Sequence, residues 1–318
     1  MSEFDLINQF FKTTIVKRDD VLLGIGDDCA ILSPPSNKAL AVSTDTLISG
    51  VHFPESTCAE DIGYKSLAVN LSDLAAMGAE PAWASLAISL PEANKNWLQG
   101  FMQGFNELAE KHKLSLIGGD TTHGPLSVTV TITGFVDSRT VLKRSNAKVG
   151  DSIFVTGTLG DAFIGLETIL NKLKPSDNYM EYCIERLNRP QPQLEAGQLL
   201  TAFSVAAIDI SDGLMADLNH ICQASGVGAK LNIDKLPLSE ALMRYYKNNP
   251  DWQRILSAGD DYELCFTCPD NQLSEMKQLM KRHEIDISCI GEITDSSEIK
   301  CYLNDEIQSF KLAGYNHF

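Results

Sequence analysis

The alternation of apolar and polar positions divides the first half of the chain into strands and helices. Val128, Val130 and Ile132 recur with the period of two residues that a half-buried strand shows, within a segment rich in β-branched side chains. Leucines and aromatic residues recur elsewhere with the spacing of one helix face. The pattern predicts strands at 39–48, 84–90, 114–119 and 127–136, and helices at 59–77 and 95–112.

A basic, turn-rich connection from Lys143 to Asp151 separates this pattern from a second one. Because 318 residues are about twice the usual size of one domain, we predict two domains, 1–140 and 141–318. Both mix strands and helices, which indicates an α/β class. The second half is predicted to hold strands at 152–156, 206–210, 229–233, 262–267, 286–291 and 299–303, and helices after Asp161, at 194–203 and at 212–224.

Composition and charge exclude several classes of partner. Apolar residues make up 44% of the chain and charged residues 21%, as in an ordinary globular protein. The net charge of -16 repels phosphate backbones, so neither nucleic acid nor an anionic membrane is an expected partner. No apolar run reaches the roughly 18 residues of a membrane span, and residues 1–12 do not resemble a secretion signal. We therefore expect a cytoplasmic protein.

Cys265 and Cys268 form a C-x-x-C pair, which is the spacing of a redox site or of half a zinc site. They fall in the stretch from Tyr262 to Cys268, whose pattern is typical of a strand, so their side chains would point to opposite faces. The sequence has no second C-x-x-C to complete a four-thiolate zinc site. Buried, reduced thiols are the favoured interpretation.

Aspartates recur at the ends of apolar strands and in turns rich in glycine, serine and threonine. Aspartate is unfavourable in strand interiors and is seldom buried without a partner, so the recurrence needs a reason. Each one alone is typical of a cap or turn, and Asp212 is equally well interpreted as the N-cap of the helix that follows it. Together they would repel one another unless cations lay between them. The set is Asp27, Asp28, Asp45, Asp73, Asp120, Asp209 and Asp212.

Oxygen ligands without histidine or cysteine nearby favour magnesium or calcium over zinc or copper. Magnesium usually binds one or two carboxylates together with substrate phosphates, so several such turns indicate several Mg²⁺ ions around a nucleotide. Calcium storage is the alternative, but the sequence contains no EF-hand loop. It also lacks the motif G-x-x-x-x-G-K-S/T and the kinase H-R-D and D-F-G motifs.

Glycine turns and one basic segment are candidate phosphate contacts. Backbone amides at Gly118, Gly119 and Gly157 to Gly160 are able to approach phosphate oxygens, although a plain turn is the favoured interpretation of the latter. Arg144 is a candidate for holding a phosphate with both arms of its guanidinium. A solvated basic linker is the alternative for Arg144.

The motifs, taken in order, resemble the thiamine-monophosphate kinase family over nearly the whole chain. The longer strings are specific, because they differ from those of relatives with the same fold, such as aminoimidazole ribonucleotide synthetase and selenophosphate synthetase. The strings are GIGDDCA (24–30), STDTLISGVHF (43–53), AVNLSDLAAMGAEP (68–81), IGGDTTHGP (117–125), LKRSNAKVGD (142–151), IDISDGL (208–214) and GDDYELCF (259–266).

The resemblance implies transfer of phosphate from ATP to thiamine monophosphate, which gives thiamine diphosphate and ADP. It implies an aminoimidazole ribonucleotide synthetase-like fold, in which an N-terminal domain binds ATP and Mg²⁺ and pairs with its copy in a homodimer to close a β-barrel. A C-terminal α/β domain follows. A related synthetase with another substrate, or a non-catalytic protein that binds magnesium and nucleotide, is the alternative.

The resemblance also implies roles for individual residues. Asp45 and Asp73 would bridge metals between donor and acceptor, as the catalytic pair. His52, Asp260 and Tyr315 match positions that bind the thiamine moiety, and the acidic position usually held by Glu is Asp260 here. Without the resemblance, His52 is typical of a turn and Tyr315 of a chain end. The implied metal ligands are Asp28, Ser43, Thr44, Asp45, Asp73, Asp120, Asp209 and Asp212, and the ATP contacts are Gly119, Asp120, Arg144 and Ser211.

The implied chemistry needs neither a catalytic histidine nor a nucleophilic cysteine. A phosphate monoester has a second pKa of about 6, so near neutral pH the acceptor is already largely a dianion. The difficulty is to bring two polyanions together, which positioning and charge neutralisation by Mg²⁺ solve. We expect direct in-line transfer, with the acidic side chains of both halves converging around the cations.

Overall fold

The structure is a computed structural model that describes residues 6–12, 16–170, 178–247, 249–311 and 314. The chain divides into two compact units. The first runs up to Leu74 and from Ala79 to Ser138, and the second holds Ala75–Gly78 and the residues from Arg139 onward. No helix in these described ranges has the length and apolar character needed to cross a lipid bilayer.

The first unit is built around a four-stranded sheet in the order β3, β6, β4, β5. β6 pairs antiparallel with both β3 and β4, whereas β4 and β5 are parallel. The small antiparallel pair β1 and β2 and a short π-helix, Ile7–Phe11, precede the sheet. The strands are β1 (Val21–Leu23), β2 (Ile31–Leu32), β3 (Ala39–Ile48), β4 (Glu80–Leu90), β5 (Ser115–His123) and β6 (Ser127–Val136), and the helices are α1 (Ala59–Ala76) and α2 (Lys95–Lys111).

The core of the first unit lies on one face of this sheet. Val128, Val130 and Ile132 alternate along β6 and are fully buried, as the two-residue period predicts. α1 is buried from Ile62 to Ala76 apart from the partly exposed Asp73, so polar side chains on it lie in the interior or at its edge. A carboxylate on such a helix is held in a fixed place by the packing around it.

The second unit is built around a seven-stranded sheet in the order β13, β12, β9, β11, β7, β10, β8. Only β12 and β9 pair in parallel; the other pairs are antiparallel. Short 3₁₀ turns lie at Arg144–Asn146, Ile233–Lys235 and Asp270–Gln272. The strands are β7 (Ser152–Thr156), β8 (Ala207–Asp209), β9 (Gly228–Asn232), β10 (Leu264–Cys268), β11 (Ile287–Thr294), β12 (Ile299–Leu303) and β13 (Glu306–Gln308).

The helices of the second unit are α3 (Asp161–Ile169), α4 (Asn178–Asn188), α5 (Leu194–Leu200), α6 (Leu214–Ser225), α7 (Glu240–Tyr245), α8 (Trp252–Ser257) and α9 (Leu273–Arg282). An apolar cluster of this unit joins the sheet to α6 through side chains such as Ile208, Leu214 and Leu231. This packing fixes the turn that connects β8 to α6, which is where candidate site residues lie.

All the elements predicted in the first half are present, and the predicted α/β class is confirmed in both units. Two element starts in the second half were placed two residues too early. The strand predicted from residue 262 begins at Leu264, because Tyr262 has a φ of 51°, outside the strand region. The helix predicted from residue 212 begins at Leu214. The pattern did not predict β1, β2, α4, α7, α8, α9 or β13, which are short or largely polar.

Candidate active site

Two carboxylates and a hydroxyl meet where β3 faces α1. Ser43 and Asp45 stand two residues apart on β3, so their side chains leave the same face of the strand. The Ser43 hydroxyl donates a hydrogen bond to a carboxylate oxygen of Asp73 on α1. Burial, together with the negative charge of Asp73, raises the pKa of Asp45 to about 6. Two like charges in a partly desolvated place are thereby held together by the fold.

The donor set of this group fits a hard divalent cation. It consists of oxygen atoms alone, and a cation beside Asp45 and Asp73 would remove the repulsion that raises the Asp45 pKa. Thr44 lies on the other face of β3, where its hydroxyl is hydrogen-bonded to the Thr131 hydroxyl at 2.9 Å. Only the backbone of Thr44 is therefore available on the side of the two carboxylates.

Asp120 and Gly119 lie inside β5, at exposed positions rather than at the strand end. Gly119 has a φ of 153°, and a Cβ there would lie 1.8 Å from the carbonyl oxygen of Leu86. The parallel pairing of β4 and β5 at this point thus requires glycine, because any side chain would meet backbone that cannot move aside. The glycine therefore serves the close packing of β4 against β5 beside Asp120.

Asp28 lies in the exposed loop between β1 and β2, where its backbone N–H donates to the Asp27 carboxylate at 2.9 Å. Across the described ranges, no three His, Cys, Asp or Glu side chains form a group that would hold a metal ion. The structure brings Ser43, Asp45 and Asp73 together, and the ligand roles of these residues and of the other carboxylates all stay predictions.

His52 follows β3 in a tight turn. The backbone N–H of Ile48 donates to His52 Nδ1 at 3.0 Å, and the His52 N–H returns a bond to the Ile48 carbonyl at 3.0 Å. An Nδ1 that accepts a hydrogen bond leaves Nε2 as the protonated nitrogen of a neutral ring. His52 is only partly buried, so this ring is both oriented and accessible.

In the second unit, β8 ends at Asp209, and the turn after it carries Ser211 and Asp212. Asp209 is buried at the strand end, and the other two are partly exposed. The interpretation of Asp212 as the helix N-cap is wrong, because Gly213 occupies that position. The carboxylate of Asp217, one turn into α6, instead accepts hydrogen bonds from the backbone N–H groups of Asp212 and Gly213, each at 3.1 Å. The Asp212 side chain takes no part in this cap.

Asp217 was not predicted as a site residue, and its sequence position on a helix face gives no signal for it. Burial, with the neighbouring Asp212 charge, raises its pKa to about 7. The two backbone bonds that it accepts hold the start of α6 against the turn. Its role is therefore to fix the path of the chain through Ser211 and Asp212.

Asp260 is placed beside Ser211 by backbone hydrogen bonds. Its N–H donates to the Ser211 carbonyl at 2.9 Å, and its carboxylate accepts from the Tyr262 hydroxyl at 3.2 Å. The residue is partly exposed and adopts a φ of 67°. One backbone hydrogen bond thus joins Asp260, the predicted substrate contact, to Ser211, a predicted ATP contact.

Arg144 lies at the start of a 3₁₀ turn with its side chain exposed, and its carbonyl accepts a hydrogen bond from the Ser225 hydroxyl at 2.8 Å. The backbone is anchored while the guanidinium reaches solvent. Tyr315 lies outside the described residues.

Cys265 and Cys268 are both fully buried free thiols, and burial raises the pKa of Cys268 to about 11, so neither is a reactive thiolate.

Known proteins match the chain over nearly its full length. The family described as AIR synthase related protein matches with its N-terminal domain at residues 26–136 and its C-terminal domain at 148–304. Thiamine-monophosphate kinase from Salmonella typhimurium is 45% identical over 99% of this chain and 98% of that protein. The chain belongs to the thiamine-monophosphate kinase family.

Solved structures of this family share the fold. Thiamine-monophosphate kinase from Stenotrophomonas maltophilia superposes with a TM-score of 0.88 at 46% identity, covering 97% of this chain and 98% of that one. A complex of AaThiL with AMPPCP and TMP superposes with a TM-score of 0.78 at 31% identity, covering 99% and 96%. The predicted two-domain α/β architecture of the family is thereby confirmed.

Proposed function

We propose that this protein transfers the γ-phosphoryl group of ATP to thiamine monophosphate, which forms thiamine diphosphate and ADP. The observation that carries the proposal is the Asp45 and Asp73 carboxylate pair with the Ser43 hydroxyl, in a chain that matches thiamine-monophosphate kinases from end to end. The AaThiL complex, with a nucleotide analogue and TMP bound, supports the same pair of substrates.

Magnesium is the proposed cation, held first of all by Asp45, Asp73 and Ser43. Bound there, Mg²⁺ would neutralise the phosphate oxygens that carry charge during transfer. Asp28, Asp120, Asp209 and Asp212 are proposed as further ligands, and Thr44 through its backbone. We propose ATP contacts at Gly119, Asp120, Arg144 and Ser211, of which Arg144 supplies a planar, permanently charged group suited to phosphate.

The residues of the chain act by positioning rather than by proton transfer. The acceptor phosphate is largely a dianion near neutral pH, so no side chain has to remove a proton from it. His52, as a neutral ring whose Nδ1 accepts from the Ile48 N–H, is suited to contact the thiamine moiety without adding charge. Asp260 is proposed to accept from that moiety, and Tyr315 is assigned with it on the resemblance alone. Transfer is proposed to be direct and in line, with no phosphoenzyme.

A homodimer is proposed through the first unit. β3 is an edge strand of the sheet, and its outer face exposes Leu40, Val42 and Ile48. An edge strand that leaves backbone groups unpaired beside apolar side chains is suited to pairing with a second copy. In the described part of the chain the sheet is open, so closing a barrel would need strands of the partner.

The direct test is to incubate purified protein with Mg²⁺, ATP and thiamine monophosphate and to measure thiamine diphosphate and ADP. We expect both products in equal amounts. Consumption of ATP without thiamine diphosphate, but with another phosphorylated or carboxylated acceptor, would assign the chain to a related synthetase. Binding of Mg-ATP without turnover of any acceptor would leave a non-catalytic nucleotide-binding protein.

A further inference from the structure

The turn from Gly259 to Glu263 carries buried acidic residues that the proposed chemistry does not use. Asp261 is only 2% exposed, and both of its carboxylate oxygens accept from the Gly160 N–H, at 3.0 and 2.9 Å. Gly160 has a φ of 87°, which glycine adopts at little cost, and begins α3. Asp261 thus ties the turn to a rigid helix start.

Glu263 fixes the other end of the turn. One of its carboxylate oxygens pairs with Arg186 Nη2 on α4 at 2.6 Å, and the other accepts from the Thr156 hydroxyl at the end of β7, also at 2.6 Å. The Arg186 guanidinium also interacts electrostatically with Asp261. Asp261 and Glu263 are thereby attached to α3, α4 and β7 from one side of the turn.

Asp260 and Tyr262 flank Asp261 and have φ angles of 67° and 51°. A bulky residue adopts this region only where surrounding contacts determine it, and such places cluster at functional sites. Backbone bonds from Asp260 to Ser211 and from Tyr262 to Ile210, at 2.9 and 2.8 Å, complete the restraint. The result is that the Asp260 carboxylate projects from a turn held on both sides.

Stability gives no sufficient reason for this network. The carboxylates of Asp161, Asp261 and Glu263 all lie near the Arg186 guanidinium in the interior, and burial disfavours the charged form of each. Buried ionic groups are often replaceable by apolar ones without loss of stability. What an apolar replacement would not supply is a directed bond to the Gly160 N–H that fixes the turn.

We propose that Asp261, held by Gly160 and supported by the Arg186–Glu263 pair, is a positioning residue that sets the Asp260 carboxylate for the substrate. The inference rests on the proposed function, in which Asp260 contacts the thiamine moiety. Asp261 itself touches neither substrate nor metal in this assignment. Because Asp261 acts through the position of the Asp260 carboxylate, its loss weakens binding of thiamine monophosphate and not binding of ATP.

The test compares Asp261→Asn with Asp151→Asn in the full-length protein. Asp151 is a similarly buried carboxylate outside the turn that, like Asp261, accepts a backbone hydrogen bond, from the Lys148 N–H at 2.9 Å, and its other partner is the Thr267 hydroxyl at 3.3 Å. In Asp261→Asn an amide N–H₂ replaces one acceptor that faces the Gly160 N–H. We expect the KM for thiamine monophosphate to rise about 10-fold, with the KM for ATP and kcat within about 3-fold, whereas Asp151→Asn leaves all three within about 2-fold.

Equal effects of the two substitutions, or an unchanged KM in a folded Asp261→Asn protein, would overturn the inference. If Asp261→Asn does not fold, Arg186→Lys replaces it, since lysine keeps the charge but loses the fork; a rise in the same KM is expected, and no change overturns the proposal.

Asp260→Ala distinguishes a failure of the proposed function from a failure of the positioning role alone. If it leaves the KM for thiamine monophosphate unchanged, the role of Asp260 in the proposed function fails and the positioning role falls with it. If it raises that KM while Asp261→Asn does not, only the positioning role fails.

Discussion

Ser43 donates its hydroxyl hydrogen to the carboxylate of Asp73, and this bond joins an edge strand to a buried helix across thirty positions of sequence. The bond orients Asp73 toward the face of β3 on which Asp45 stands. The negative charge of Asp73 raises the pKa of Asp45, so the two carboxylates interact electrostatically. This relationship makes the pair the first place to test by substitution.

Asp45→Asn and Asp73→Asn remove one negative charge each without a change of size. We expect kcat to fall about 100-fold or more in each, because a group that stabilises charge in transfer is lost, while thermal unfolding stays near that of the unaltered protein. Steady-state kinetics with circular dichroism melting measures both. Glu110→Gln, an exposed site on α2, is the matched control and should retain full activity. Near-normal turnover in both aspartate variants would refute their assignment.

Arg144→Ala removes an exposed guanidinium from an anchored turn. We expect the KM for ATP to rise about 10-fold, with a smaller change in the KM for thiamine monophosphate, because the charge is assigned to nucleotide phosphate. Lys143→Ala removes the same charge one position away and should have the weaker effect. An unchanged KM for ATP together with lost binding of thiamine monophosphate would show that Arg144 serves the other substrate.

Val42→Lys places a charge on the exposed face of β3, where Val42 is 62% exposed in the single chain. If this face pairs with a second copy, the ammonium group would be buried at the contact, which is strongly unfavourable. We expect sedimentation velocity to show a monomer where the unaltered protein gives a dimer. Val149 is 59% exposed in the second unit, so Val149→Lys is a matched control that should keep the dimer. A dimeric Val42→Lys protein would place the contact elsewhere.

His112, which ends α2, makes stability depend on pH. Burial, with a smaller contribution from Lys111, lowers its pKa to about 4, and its buried Nε2 has no hydrogen-bond partner among the described residues. In the unfolded chain the pKa is about 6.5, so between these values the unfolded state binds more protons and stability falls as the pH falls.

Urea unfolding at pH 7 and at pH 5 measures this effect. We expect His112→Gln to lose less free energy of unfolding between the two conditions than the unaltered protein, by about 1 kcal/mol after allowance for partial solvent exposure. His220→Gln changes an exposed histidine and should leave the difference as it was. An identical pH dependence in the His112 variant would show that this ring protonates as freely in the folded state.

The sequence by itself determined the α/β class, the order of the long elements in the first half and the family. Periodicity suffices where an element is long and strongly patterned, as for the strand with Val128, Val130 and Ile132, because burial of one face repeats at fixed intervals. Short helices such as α7 and α8 were not predicted, since six residues are too few to show a helical period. The segments that carry the aspartates were also recognisable in the sequence, because aspartate is unusual at the ends of apolar strands and within strands.

Only the tertiary structure decided which of these acidic residues meet and which groups they bond to. In the fold, the Ser43 hydroxyl bonds to Asp73, whereas the Thr44 hydroxyl lies on the opposite face of β3. Gly213 and not Asp212 is the N-cap of α6, and the carboxylate of Asp217 accepts the backbone hydrogen bond there. The fold also separated neighbours in one short string, exposing part of Asp260 and burying Asp261 against Gly160. The physical reason is that residue type sets what a side chain is able to bind, whereas burial and partners arise from contacts between segments far apart in sequence.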